Sequence, residues 1–184
     1  EAKIRDLKDV KIEFQREIQK IVQFKNLLFE QGEELELVVK ESFKLIGFDV
    51  ENRKEEDMEH DLLFSSEEGR GLAEVEGKDS SAINISKFDQ LNRAVDEDFH
   101  LHDDYPQGIL IGNHFRLENP ISRKEPFTDK VHTIARKKSF GLLTTLEIYN
   151  AVAFILKNPD DNEFKKQCRD RILNTEGKII KLID

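Results

Sequence analysis

An α/β fold, a mixed β-sheet flanked by helices and carrying an extended N-terminal helix, is what this 184-residue sequence predicts. Three observations lead there. Apolar residues recur at helical spacing over 1–30, 33–46 and 146–157. Short apolar runs bounded by Gly and polar clusters interrupt them. Their order is helix, three strands, helix, strand, helix-like region, strand, helix, which buries a sheet between helical layers.

The elements follow in turn. Residues 1–30 lack Pro and Gly, and Ile4, Leu7, Phe14, Ile18, Ile21 and Leu28 fall on alternating three- and four-residue steps, with Lys11 and Lys25 completing the frame. That spacing suits a coiled-coil or linker helix, although two Lys at seam positions suit equally a helix packed on its own domain. We therefore expect a boundary near residue 30, with 31–184 as the main α/β domain. A second helix runs from Glu33 to Ile46 on the face of Leu35, Val38, Val39, Phe43 and Ile46, and Gly47 stops it.

"GFDVEN" predicts a short strand, followed by an acidic loop. "DLLFSS", "EEGRG" and "LAEVEGK" predict strand, turn and strand, so the first three strands form a meander. A helix is expected around Phe88–Val95, with the acidic stretch "DEDFHLHDD" as a solvated loop. "GILIGNHF" reads as a buried strand. "FGLLTT" is another and feeds the helix "LEIYNAVAFILK". "NPDDNEFKKQCRDRIL" begins a last helix, and "GKIIKLI" suggests a last short strand.

Composition narrows the functional classes. With 38% hydrophobic and 36% charged residues the surface is very polar, and no apolar run approaches the roughly 20 residues that cross a bilayer. The single Cys168 excludes an intramolecular disulfide and points to a reducing, cytoplasmic setting. The first residue is Glu1 and the one Met is Met58, so we expect a piece of a larger protein. A net charge of −9 is unfavourable for a nucleic-acid binder, since phosphate affinity comes from Lys and Arg. The charge is uneven: residues 114–138 carry a local net of +4, which either faces a polyanion or is ordinary solvated surface.

The hairpin "EHDLLFSSEEGRGLAEVEGK" concentrates the chemistry. Residues two apart on a strand share a face, so Glu74, Glu76 and Lys78 line one side while Ala73 and Val75 pack on the other. Asp61 opens the neighbouring strand and lies opposite the acidic row if the pair is antiparallel. Carboxylates brought close together repel unless a cation sits between them. Mg²⁺, which prefers oxygen and keeps several waters, suits that place, with Mn²⁺ as its substitute. The same alternation also marks a solvated hairpin face; Glu74 is a candidate further metal ligand, though at the strand's beginning it is expected to point to solvent.

The order of these motifs resembles the PD-(D/E)XK nuclease superfamily, the restriction-endonuclease-like fold, and within it the Mrr-type branch. The resemblance spans about residues 30–150 and rests on "GEELELVVKESFKLIGFDV", "HDLLF", "LAEVEGK" and "FDQL". Gly32, Leu35-Glu36 and Gly47 match the family's first helix, Asp61 its strand-opening Asp, Glu76-Gly77-Lys78 its acidic-x-Lys, and Gln90 the Gln of the next helix. His60 stands where the family commonly has Pro, and Ala94 where an aromatic is usual. The resemblance implies that Asp61 and Glu76 ligate Mg²⁺ with help from the Gly77 carbonyl. Lys78 would then serve the attacking water, Glu36 would reach toward the metal, and Gln90 would position water or phosphate. Glu36 is otherwise a solvated residue, and Glu34 is placed to substitute for it.

The resulting expectation is a metal-dependent endonuclease domain hydrolysing phosphodiester bonds of nucleic acid, DNA before RNA, as the effector part of a larger defence or repair protein. The alternative is an inactive nuclease-like module that binds nucleic acid or a protein partner. A homodimer through the N-terminal helix would supply two sites. Other motifs are weaker. His100 and His102 have no third zinc ligand at a customary spacing, Gly69 and Gly71 form a strand turn rather than a phosphate loop, and Cys168 lacks a neighbouring His. Arg116, Arg123 and Lys124 are placed to meet phosphate if their loop is a binding loop, and are otherwise ordinary solvated surface.

Overall fold

A computed structural model describes residues 2–51 and 61–183. The acidic loop expected over 53–60, including His60, lies outside the described residues. Five strands form one sheet in the order β1 (Asp49–Glu51), β2 (Leu62–Ser66), β3 (Gly69–Gly77), β4 (Gln107–Asn113) and β5 (Gly141–Thr144). The first two pairings are antiparallel and the last two parallel, so the expected meander runs into a parallel half.

The alternation of the strands divides the core in two. Val50, Leu62, Phe64, Ala73, Val75, Ile109, Ile111 and Leu143 turn to one face. There they meet α2 (Asn26–Phe29), α3 (Gly32–Ile46), α6 (Thr145–Lys157) and α7 (Asn162–Leu173). Leu72, Leu110 and Leu142 turn to the other, against α4 (Ser86–His102) and α5 (Asp129–Lys138). A central strand buried on both faces has no polar alternation, which is why "GILIGN" reads as one apolar run. On the first face Phe43, Phe48 and Phe64 pack ring against ring, with centroids 4.9–5.4 Å apart. This trio fixes β2 against α3. Gly71 makes room for it, because a Cβ there would fall 2.4 Å from the Phe64 ring.

Helix ends follow local chemistry. Gly47 adopts φ 102°, a left-handed conformation that costs glycine little, and its N–H donates to the Phe43 and Lys44 carbonyls to end α3. Thr144 closes β5 and caps α6 by accepting from the Glu147 N–H at 3.2 Å. Arg169 on α7 grips Glu68 at the β2–β3 turn through two bonds of 2.8 and 2.9 Å, and also donates to the Ile46 carbonyl. This clamp ties hairpin, α3 and α7 together. The Arg169 guanidinium holds the Glu68 carboxyl down at about 2. The clamp's stability contribution is therefore complete above the ordinary value of 4.5 and lost as pH falls toward 2. Thermal melts between pH 5 and 2 should show a decline in Tm that Glu68→Gln flattens; parallel declines in the two proteins would remove the clamp from the account.

Four expectations change. The long N-terminal helix is interrupted: α1 spans Ala2–Gln23, and a turn at Phe24–Lys25 leads into the short α2. Phe24, Leu27 and Leu28 enter the core, whereas Val10, Phe14, Ile18 and Ile21 are exposed; the side chains of Ile4 and Leu7 lie outside the described residues. The helix α4 continues through most of the acidic stretch, so His100 and His102 sit in its last turn, not in a loop. Buried Asp98 explains the extension, since it pairs with Arg70 of β3 and anchors that end of the helix. Residues 129–138 form the regular helix α5, in what the sequence suggested only as a helix-like region. Finally, "GKIIKLI" makes a one-residue bridge, Ile179 to Leu142, in place of a strand. Glu147 accepts the Leu182 and Ile183 N–H groups at 2.7 and 3.1 Å and competes there for the backbone donors.

Candidate active site

The antiparallel β2–β3 register pairs Leu62 with Ala73, which sets Asp61 alongside Glu74. Both belong to the sheet face covered by α4. Asp61 Oδ2 accepts the Val75 N–H at 2.7 Å, so its carboxylate is held at the mouth of the hairpin. Glu74 is only 1% exposed, contrary to the solvent-facing position expected for it. Its strand begins three residues earlier than "LAEVEGK" suggests, at Gly69, and Glu74 is thereby mid-strand and covered by α4.

A lysine that the sequence reading did not single out completes this pair. Lys87, in the first turn of α4, places Nζ 3.1 Å from Glu74 Oε2 and 3.5 Å from Asp61 Oδ2. Burial works against its ammonium, but the Asp61 and Glu74 charges outweigh that and raise its pKa. Burial and the neighbouring Asp61 push Glu74 up to about 8, with Lys87 opposing. Glu36, half-buried on α3, is likewise raised by burial first and by Asp61 second. Glu34 is exposed.

Glu76 lies two residues beyond Glu74 on the same face. Lys78 Nζ is 2.7 Å from its Oε1, and the Ser86 hydroxyl of α4 donates to the same oxygen at 3.3 Å. Its other oxygen, Oε2, is buried without a hydrogen-bond partner among the described residues, in a side chain only 10% exposed. Gln90 is half-buried one turn beyond Ser86 and Lys87. Gly77 permits a close approach: a Cβ there would lie 2.5 Å from Gln31 Cβ and 3.2 Å from the Glu30 carbonyl.

This group occupies the C-terminal half of β3, where β3 and β4 run parallel. Ligands in α/β sheets commonly bind at the carboxyl ends of such strands. The adjoining end of β4 is braced from within. Asn113 donates to the Glu30 carbonyl at 2.8 Å and accepts from Arg123 and Thr145. Arg123 also donates to the Leu28 and Arg116 carbonyls, and Arg116 bonds Asp79 and the Phe29 carbonyl. These two arginines thus hold loop to helix, with their donors spent inside the protein rather than on solvent or phosphate; Lys124 stands beside the Phe115 ring, 5.8 Å from its centroid. Arg123→Met should cost about 2–3 kcal/mol by stranding several acceptors, and Arg123→Lys, lacking the fork, should recover only part. Urea titration checks this; a loss under 0.5 kcal/mol would be inconsistent, taking ~1 kcal/mol as the usual worth of one bond.

His114, buried behind this brace, is pulled down to about 4 by burial and by Arg123, so its imidazole is neutral near pH 7. Burial raises the Cys168 thiol to about 11, leaving it inert. A cleft of about 340 Å³ lies toward the other end of the sheet, lined in part by Arg70, Tyr105, Gln107 and Lys138, and none of the candidate residues lines it.

The donor set can be tested against a metal. Among the described residues no three carboxylate, His or Cys groups converge closely enough to enclose one. Mg²⁺ needs fewer, since one or two carboxylates plus water and substrate oxygens serve it. Asp61 and Glu74 supply that pair. Beside them, the buried Glu76 Oε2, unpartnered among the described residues, is an acceptor that such an ion or its water would serve. The residues fit a hydrated divalent ion.

Comparisons with known proteins place the fold. No known family model and no curated protein matches the chain. Among solved structures, that of the restriction endonuclease FokI superposes with a TM-score of 0.54 at 15% identity, covering 88% of this chain and 31% of that one. The fold is therefore restriction-endonuclease-like, a mixed five-stranded sheet between helices. The chain spans about a third of the length of its structural neighbour. Among the described residues no helix is long and apolar enough to cross a membrane.

Proposed function

We propose that this chain is a metal-dependent nuclease domain of PD-(D/E)XK type, hydrolysing phosphodiester bonds of nucleic acid, with DNA as the substrate. The observation that carries the proposal is the gathering of Asp61, Glu74 and Glu76 on one sheet face under α4, with Lys87 and Lys78 beside them. The likeness to a restriction endonuclease supports the class, and the sequence motifs support the Mrr-type branch.

Asp61 and Glu74 would hold Mg²⁺ or Mn²⁺, with Glu76 and the Gly77 carbonyl adjacent, and Glu36 adding negative charge from α3. When bound, the ion polarises the phosphate and acidifies its water. The remaining work falls to the chain. The Lys78 ammonium, held by Glu76, is placed to stabilise charge developing on a phosphate oxygen. Gln90, half-buried one turn beyond Ser86 and Lys87, would orient water or phosphate. Burial under α4 keeps bulk water from screening these charges. Water attacks directly, so no covalent intermediate with the protein is needed. Exposed Phe14, Ile18 and Ile21 on α1 offer a second copy a seam that would bring two sites to one duplex.

An inactive binding module is the second reading. The internal use of Arg116 and Arg123 favours its protein-binding form, because it withdraws cations from any phosphate surface. Incubation with supercoiled and linear DNA in Mg²⁺ or Mn²⁺ separates the two. Cleavage abolished by EDTA and by Asp61→Asn is expected. Retention of DNA on a filter without cleavage, under every metal tried, would favour the binding module.

A further inference from the structure

The geometry points to Lys87 as a displaceable counter-cation: its ammonium closes the Asp61–Glu74 pair in the metal-free protein, and a divalent ion enters by displacing it. The inference rests on the metal reading of this site and adds a residue that tunes it. Lys87 therefore sets how tightly the site takes its ion.

Three features support this. The Lys87 Nζ stands within 3.1 Å of Glu74 and 3.5 Å of Asp61, in the position where one cation serves both carboxylates. A divalent ion placed there would face an ammonium at close range, and like charges in a poorly hydrated pocket do not share it. Lys87 also has somewhere to go. Its side chain is 27% exposed against 2% for Glu74, and it hangs on a four-carbon stem from the first turn of α4, whose backbone need not move. Finally, buried Glu76 Oε2, two residues further along the same face, lacks a hydrogen-bond partner among the described residues. A hydrated divalent ion gathers several oxygens at once and so can serve that acceptor along with the pair.

Other roles for Lys87 predict different outcomes. If it were only a structural strut, its loss would loosen the hairpin and weaken ion binding. If it acted only on substrate, its loss would leave ion affinity unchanged.

The test measures Mn²⁺ binding to the whole chain by the loss of the free-ion paramagnetic resonance signal, without nucleic acid. Lys87→Met should bind Mn²⁺ at least about tenfold more tightly than the parent, and Lys87→Arg should return to the parent's weak affinity. Asp61→Asn added to Lys87→Met should abolish the gain, locating the ion between these residues. A second measurement needs no variant: amine acetylation with mass spectrometry should show Lys87 protected in EDTA and labelled several-fold faster with Mn²⁺. Equal or weaker binding by folded Lys87→Met, or unchanged labelling while Mn²⁺ is bound, overturns the inference and leaves the nuclease proposal standing. No Mn²⁺ binding by either protein at millimolar concentration overturns both.

Discussion

Glu74→Gln is expected to remove Mg²⁺-dependent cleavage by about 10²–10³-fold or more, while leaving the protein as stable as the parent at pH 5 and more stable at pH 8. The activity loss follows from the register, which pairs Asp61 with Glu74 and sets Glu76 further along the strand. Glu76→Gln should cost less, since Lys78 and Ser86 already occupy one of its oxygens. The stability gain follows from the pKa. Glu74 holds its proton in the folded chain up to about 8, against an ordinary 4.5, so the folded state carries the extra proton between those values. Its contribution is complete below 4.5 and is lost as pH rises through 8. At about 1.4 kcal/mol per pH unit, that loss amounts to a few kcal/mol. Gln has the same shape and no charge to desolvate. Urea unfolding in EDTA at pH 5 and 8, with cleavage assays alongside, reads both effects. Greater loss of activity in Glu76→Gln than in Glu74→Gln would return the catalytic pair to Asp61 and Glu76.

The second large effect is on stability. Phe64→Ala should destabilise the fold by about 3–5 kcal/mol, the cost of emptying a fully buried aromatic site. Phe64 touches Phe43 of α3 and Phe48 just beyond it, edge to face, and fills the space that Gly71 leaves open. Its loss would release β2, the strand that Asp61 opens, so cleavage should fail at a lower temperature along with the fold. Phe64→Leu should lose less than half as much. The difference in urea midpoint at constant m-value reports these numbers, and a loss below ~1 kcal/mol would mean the site collapses onto itself more fully than a jigsaw core allows.

Much of this was legible in the chain. The apolar stripe of Leu35, Val38, Val39, Phe43 and Ile46, closed by Gly47, is a local pattern with a local cause, and it became α3 with those boundaries to within a residue. The meander and the buried strand before Asn113 were legible for the same reason: a strand's period of two, or its absence, records which faces are covered. The candidate acids also lay in plain view on the hairpin.

The lysine of the site was not legible. Lys87 stands thirteen residues after Glu74 at the start of a helix, and nothing in "ISKFDQ" marks it, because its partners are brought to it by the packing of α4 on the sheet. The same holds for Arg116 and Arg123. Their charge suited either phosphate contact or plain solvation, and only the fold shows their donors spent on carbonyls of the α2–α3 junction. What the sequence by itself determined is the set of elements and the acids carried on their faces, since periodicity and turn chemistry act over a few residues. What only the tertiary structure decided is which charges meet, because burial and pairing across distant elements, not neighbours in the chain, set where an ammonium rests and which carboxylate keeps its proton.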